Sequence, residues 1–304
     1  MKGLNTITSK ANSQIEFDEG FLRKLENLHL LSKKAQNGKF LNARRTKRSG
    51  AGIEFREHRE YVTGDDFRSI DWNAYGRLDK LLCRLFEKEE NLKITFGIDA
   101  STSMLAGVPS KFFTACKTVA ALAYMGLANH ELVSVSLFSE EHVRELPLFR
   151  GKNNVHTLLK FLSSATCGGQ TDLSTSIKRI AHGQKKPGVF VYLSDFYDHD
   201  GFKKSLDHLL WNKHEPFVIQ LYAENPIPPS LKGDLTLVDS ETNQTTNITM
   251  TPKLLKRFHD EHRLYSDELS RTCTGRAVPY LKVASHIDIE TLILKVLRTG
   301  QVII

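Results

Sequence analysis

"KITFGIDASTSM", residues 93–104, decides how the chain folds. Ile94, Thr95, Phe96 and Ile98 are strand formers in a nearly unbroken apolar run. The run stops on Asp99 and continues with two hydroxyls, Ser101 and Ser103, at alternate positions. A short run apolar on both sides of the pleat belongs to a strand covered on both faces, the situation of a parallel sheet between helices. Three more such runs follow, "LVSVSLF" (132–138), "GVFVYLSD" (188–195) and "PFVIQLYA" (216–223).

Between the first two lies "SKFFTACKTVAALAYMGLANH" (110–130). Phe112, Cys116, Val119 and Ala123 form a helical stripe there, widened by Phe113, Ala120 and Leu127, as expected of a helix laid on a sheet. "HVRELPLF" (142–149), with a proline and two charges, reads as an antiparallel edge strand. "VHTLLKFLSS", "LSTSIKRIAH" and "FKKSLDHLLW" are short helices, and "LTLVDSETNQTTNITM" is two strands about a polar turn. A charged helix over 252–273, the strand "AVPYLKVA" and a last helix "DIETLILKVL" complete the alternation. Strands separated by helices predict an α/β fold, a doubly wound, mainly parallel sheet with right-handed crossovers, over 91–304.

Residues 1–15 are polar and unpatterned and read as a disordered tail. A smaller amino-terminal module, 16–90, is expected to follow. It opens with a helix in which Phe21, Leu25, Leu28 and Leu30 or Leu31 recur at helical spacing, closed by Gly38. "NARRTKRSGAG" (42–52) is a basic loop. It reads as solvated, with contact to an acidic partner or nucleic acid as the alternative. "IEFREHREYV" (53–62) reads as extended chain and "TGDD" as a turn. The mixture that follows suggests partly buried ion pairs over an apolar layer, with Trp72 and Phe86 in a core or interface.

Of 304 residues, 40% are hydrophobic and 25% charged, the balance of a globular protein. No apolar run reaches the roughly 18 residues of a membrane span, and no charged start followed by an apolar stretch marks export, so a cytoplasmic location is expected. Cys83, Cys116, Cys167 and Cys273 are isolated from one another, which indicates neither a disulfide framework nor a CxxC site. The net charge of +7 decides nothing alone.

In an open α/β sheet ligands settle beyond the carboxyl ends of the strands, where the winding reverses. Asp99, Ser101 and Ser103 leave one strand there. The loop "CGGQTDL" (167–173) offers Thr171 beside two glycines, and Asp195 ends another strand. Hydroxyl and carboxylate oxygens suit a hard cation, Mg²⁺ above all, with Mn²⁺ as the variant. With so few carboxylates the shell is short of negative charge, and an incoming carboxylate can complete it. Taken alone, an Asp-x-Ser-x-Ser string is equally a capped turn.

A strand before the string, a Gly-Gly-x-Thr loop about 70 residues on and a Ser-Asp strand end together resemble the metal-ion-dependent adhesion site of von Willebrand factor A domains. That resemblance implies that Ser101, Ser103 and Thr171 bind the metal directly, and Asp99 and Asp195 mostly through water. "RSGAGIEFREHREYVTGDDFRSIDW" (48–72) is similar to the signature of the domain of unknown function 58 family, in Arg59, Glu60, Tyr61, Gly64, Asp65, Asp66, Arg68, Asp71 and Trp72. In that family a short module precedes a von Willebrand A-like domain. Some members begin with membrane helices, which this sequence lacks. The family's association with MoxR-type AAA+ ATPases implies a non-enzymatic adaptor or chaperone-like partnership.

Other chemistries find less support. "FRGKNN" lacks the first glycine and the hydroxyl of a phosphate-binding GxxxxGK[ST] loop. A phosphotransfer DxD is broken by Ser101. His259 and His262 lack HExxH and third ligands and read as a solvated helix face. His199 reads as a loop histidine with a general base as the alternative, and Asp172, Asp198 and Asp200 as helix caps or as negative potential about the metal. A hydrolase using the same cation, or nucleic-acid binding through residues 44–48, remain alternatives, though no aromatic platform accompanies that loop.

Overall fold

The computed structural model describes residues 17–36, 49–50, 54–87, 92–140, 143–183, 187–223, 233–238 and 244–299. The tail 1–15 and the basic stretch 44–48 lie outside them. The chain forms two compact units, one running to Ser32 and resuming at Leu92, the other Lys33–Asn91.

In chain order the elements are α1 (Glu19–Gln36), β1 (Ser49–Gly50), β2 (Glu54–Glu60), α2 (Trp72–Leu78), β3 (Leu82–Glu87), β4 (Lys93–Asp99), α3 (Lys111–Ala128), β5 (Leu132–Phe138), β6 (Val143–Phe149), α4 (Val155–Ser163), α5 (Leu173–Gly183), β7 (Val189–Ser194), α6 (His199–Trp211), β8 (Glu215–Tyr222), β9 (Gly233–Val238), β10 (Thr245–Met250), α7 (Pro252–Thr274), β11 (Tyr280–Ala284) and α8 (Ile289–Thr299).

The larger unit is built on a six-stranded sheet in the order β11-β8-β7-β4-β5-β6. β4 pairs parallel with β5 and β7, β7 with β8, and β8 with β11, while β6 runs antiparallel along the edge of β5. The apolar runs are strands because each buries both faces. Ile94, Phe96 and Ile98 of β4 join Val189, Val191 and Leu193 of β7 and Phe217, Ile219 and Leu221 of β8 against α1, α3, α4 and α8. On the other face, Phe190, Tyr192 and Val218 pack with α5, α6 and the end of α7. This two-residue alternation between two helix layers makes the sheet doubly wound. Each fully buried aromatic or branched side chain contributes about 1.5–3 kcal/mol of transfer free energy. Gly97, at the middle of β4, cannot carry a side chain, since a Cβ there would lie 2.8 Å from the ring of Phe190.

Chain order and sheet order together locate the site. From β4 the chain moves to β5 and β6 on one side, then returns to place β7 against the opposite edge of β4. The winding therefore reverses between β4 and β7, and their carboxyl ends carry Asp99 and Asp195.

α1 departs from the expected 16–90 module. Phe21, Leu25 and Leu28 are buried in the same core as β4, α3 and α8, so the helix belongs with the larger unit. Its stripe is apolar enough to need a partner, and the neighbouring helices supply contacts: Lys117 of α3 lies over the Phe21 ring and Tyr124 of α3 stands edge-on to His29. Leu30, which could have joined the stripe, is exposed.

The smaller unit is an antiparallel sheet in the order β1-β3-β2, with a bulge between Phe55 and Glu57. Ile70 and Cys83 form its buried apolar contact, bridged strand-fashion. Trp72, expected in a core, is 59% exposed. As the first residue of α2, capped by Asp71, it is turned along Tyr75 instead, with ring centroids 6.3 Å apart. β9 and β10 form a separate two-stranded hairpin in the larger unit.

Candidate metal centre

The cluster at the switch point is built from the strand ends inward. β4 ends on Asp99, fully buried, whose two carboxylate oxygens are held by different segments. The amide of Ser101 donates to Oδ1 at 2.9 Å and the Ser194 hydroxyl to Oδ2 at 2.6 Å. The first contact is the turn that an Asp-x-Ser string makes by itself. The second crosses from β7 and fixes the carboxylate between two strands. Ser101 and Ser103 then come together with their Oγ atoms 3.1 Å apart, and the Ser103 hydroxyl donates to Oδ2 of Asp195 at 2.9 Å. Asp195 is itself buried, and its main-chain carbonyl accepts from the side-chain Nε2 of Gln220 on β8 at 3.4 Å.

The loop holding Thr171 is stitched to this cluster on two sides. Gly168 donates its amide to the carbonyl of Ala100 at 2.8 Å. Both the amide and the hydroxyl of Thr102 donate to the carbonyl of Gly169, at 3.1 and 3.0 Å. On the other side the amide of Glu140 donates to Gln170. Gly169 sits at φ +81°, a conformation that favours glycine, so the Gly-Gly pair serves the turn that delivers half-buried Thr171 to the rim.

Burial is the dominant electrostatic fact. Removal from water, and then the neighbouring charge of Asp195, push Asp99 up from the ordinary 3.8 to about 7. Tyr197, just past Asp195, is pushed up to about 12 by burial and by the same carboxylate.

Three participants escaped the sequence reading. Ser194 holds Asp99 and also accepts the amide of Phe196 at 2.8 Å. Its signal was available: two consecutive polar residues, Ser194 and Asp195, close an otherwise apolar strand. Lys111, first residue of α3, reaches Oδ2 of Asp195 at 2.5 Å with its side chain 3% exposed. A lysine after a helix cap reads as a solvent charge, and nothing local marks it otherwise. Tyr197 lies beneath that ammonium, its ring centroid 5.0 Å from Nζ.

The polar residues considered for other chemistry are engaged elsewhere. His199 pairs with Glu268 at 2.9 Å and stands edge-on to Tyr265. Asp172 caps α5 through the amide of Thr175, and Asp198 caps α6 through that of Gly201. His262 packs against Tyr197 and Tyr222, and burial lowers its affinity for a proton.

The donor set fits a small hard cation. Ligands at 2.0–2.1 Å on adjacent corners of an octahedron lie about 3 Å apart, and the Ser101–Ser103 oxygen pair is spaced at 3.1 Å, with Ser103 bonded onward to Asp195. Among the described residues no three His, Cys, Asp or Glu side chains gather as a metal cluster.

The family described as "Protein of unknown function DUF58" matches residues 57–267, more than half the chain, including every residue of the cluster. The chain belongs to the DUF58 family. This DUF58 chain is 23% identical over 244 residues to "Uncharacterized protein Rv1480" of Mycobacterium tuberculosis, covering 79% of this chain and 77% of that protein. It is 24% identical over 146 residues to "Uncharacterized protein MAV169" of Mycobacterium avium, covering 47% and 86%. Among solved structures, BatB from Bacteroides thetaiotaomicron superposes at a TM-score of 0.43 and 13% identity, over 68% of this chain and 98% of that one. The VWA domain of SpRpn10 does so at 0.42 and 11%, over 71% and 100%. Of the DUF58 chain's described helices, none is long and apolar enough to cross a membrane.

Proposed function

We propose that this DUF58 protein is a non-enzymatic interaction module that captures an acidic side chain of a partner through a divalent cation, Mg²⁺ or in its place Mn²⁺. The observation that carries the reading is the convergence of the Ser101 and Ser103 oxygens to within about one octahedral edge of each other, with Ser103 bonded onward to Asp195, at the switch point of the sheet. Ser101, Ser103 and Thr171 would ligate the ion, with Asp99 and Asp195 holding its waters. The bound ion would supply a Lewis-acidic position for an external carboxylate. The chain's own part is to orient the hydroxyls: Ser194 and the Ser101 amide lock Asp99, and Asp99 thereby fixes the turn that presents Ser101 and Ser103.

A partner follows from the family likeness: a MoxR-type AAA+ ATPase, or a client carrying an exposed Asp or Glu, met in the cytoplasm. For a turnover role the candidate base is His199, whose Nε2 lies 2.9 Å from Glu268, and no contact joins it to the hydroxyl cluster among the described residues. The test is capture of a purified MoxR-type ATPase on immobilised DUF58 protein. Capture is expected with Mg²⁺ present, and to be lost with EDTA or with Ser101→Ala at unchanged circular dichroism. Equal capture in EDTA contradicts the proposal.

A further inference from the structure

The position of Lys111 is physically adverse in three ways. Its side chain is 3% exposed, and an ammonium taken out of water is costly without a partner. It stands at the first position of an 18-residue helix, where the aligned peptide dipoles repel a cation. The carboxylate that compensates it, Asp195, is the one the hydroxyl cluster also uses. Nζ of Lys111 and Oγ of Ser103 contact the same atom, Oδ2 of Asp195, at 2.5 and 2.9 Å. The other oxygen, Oδ1, is turned toward the main chain, 3.4 Å from the amide of Tyr197. The face of Tyr197 closes the remaining side of the ammonium.

We propose that Lys111 is a tethered cation that, when no ion is bound, occupies on Oδ2 of Asp195 the place that a water of the metal would take, so that a divalent ion must displace it to enter. This rests on the reading of the cluster as a metal site. Without Lys111 the buried Asp195 carboxylate would lose the positive charge in contact with it. With it the empty cluster is held together, at the expense of metal affinity. Loading then depends on the concentration of free divalent ion, because each binding event has to move an ammonium off Oδ2.

The experiment is Mn²⁺ binding followed by electron paramagnetic resonance of the free ion, beside thermal melting in EDTA, on wild type and Lys111→Met. Lys111→Met is expected to bind Mn²⁺ at least tenfold more tightly and to melt lower in EDTA, with Mn²⁺ closing the gap. Lys111→Arg, which keeps the charge, should stay near wild type in both. If Lys111→Met does not fold in EDTA, Lys111→Met with Asp195→Asn, which removes one charge of each sign, should restore folding there, and failure to do so counts against the pairing. Equal or weaker Mn²⁺ binding by Lys111→Met overturns the tethered-cation role while leaving the metal site standing. No Mn²⁺ binding by either protein overturns the metal site and the role together.

Discussion

Two clusters of aspartates, one in each unit, use similar residues in opposite surroundings. At the sheet rim Asp99 and Asp195 are buried, and burial drives the Asp99 carboxyl up. In the smaller unit Asp65 accepts the amide of Val62 and a two-pronged contact from Arg59 at 2.7 Å. Asp71 accepts from His58 at 2.9 Å and from the amides of Ala74 and Asn73. Those carboxyls are held below the usual range, Asp65 chiefly by the Val62 amide and Asp71 chiefly by His58. Donors in contact with solvent stabilise charge that water would also have stabilised. A dry cluster instead leaves charge in want of a counter-ion. The smaller unit's aspartates define turns and a helix cap; those at the rim are held by serine hydroxyls, a main-chain amide and the buried ammonium of Lys111.

The largest expected effect follows from breaking the dry cluster. Asp195→Ala leaves the Lys111 ammonium buried and unpaired, a loss of about 3–5 kcal/mol. At roughly 2–4 °C per kcal/mol for a domain of this size, the melting temperature in EDTA should drop by on the order of 10 °C. Asp65→Ala should move it by a few degrees at most, because water replaces Asp65 at the Val62 amide and at Arg59. Equal losses from the two substitutions would show that burial is not what separates the clusters.

That contrast also marks how far the sequence could be read. The strands β4, β5, β7 and β8 were legible because a strand buried on both faces needs apolar residues at every position, and few other elements do. β6 was legible from Pro147 and its charges, which only an edge strand tolerates. Asp99, Ser101, Ser103 and Asp195 could be placed because the rule locating ligands at strand ends depends on strand order alone. Lys111 could not: its partner is 84 residues away, and a lysine at a helix start is ordinarily a solvated charge. Nor could the allegiance of α1, whose stripe says that it packs but not against which layer. Trp72 misled because aromatic residues are usually covered, and here a capped helix of about two turns leaves it outside.

A smaller effect is expected from pH. A carboxyl raised in the folded state from 3.8 to about 7 adds stability that is complete below 3.8 and lost as pH rises through about 7. In EDTA, wild type should therefore lose stability relative to Asp99→Asn between pH 5 and pH 8, by no more than about 1.4 kcal/mol per pH unit. His214, buried with a lowered proton affinity, pulls the other way below its ordinary 6.5, but it is common to both proteins and cancels in the difference. With Mg²⁺ in excess the trend should reverse, since the ion favours ionised Asp99. A difference in melting temperature that stays flat with pH in EDTA would show that Asp99 is not desolvated as the buried geometry requires.

The smallest effect belongs to the wet cluster, and it separates geometry from charge there. Arg59→Gln removes the two-pronged contact but leaves Asp65 bonded to the Val62 amide, so the turn at Gly64, with φ +110°, keeps its anchor. Exposed pairs of this kind contribute little and are screened by salt. Hydrogen exchange of the 61–70 segment should thus quicken only slightly in Arg59→Gln at low ionic strength, and match wild type at about 0.5 M NaCl. Asp65→Ala should quicken it at every salt concentration, because there the lost partner is the amide itself. If Arg59→Gln opened the segment as much as Asp65→Ala, and did so independently of salt, the arginine would be holding the turn by packing and not by charge. The smaller unit would then resemble the sheet rim more closely than its exposure suggests.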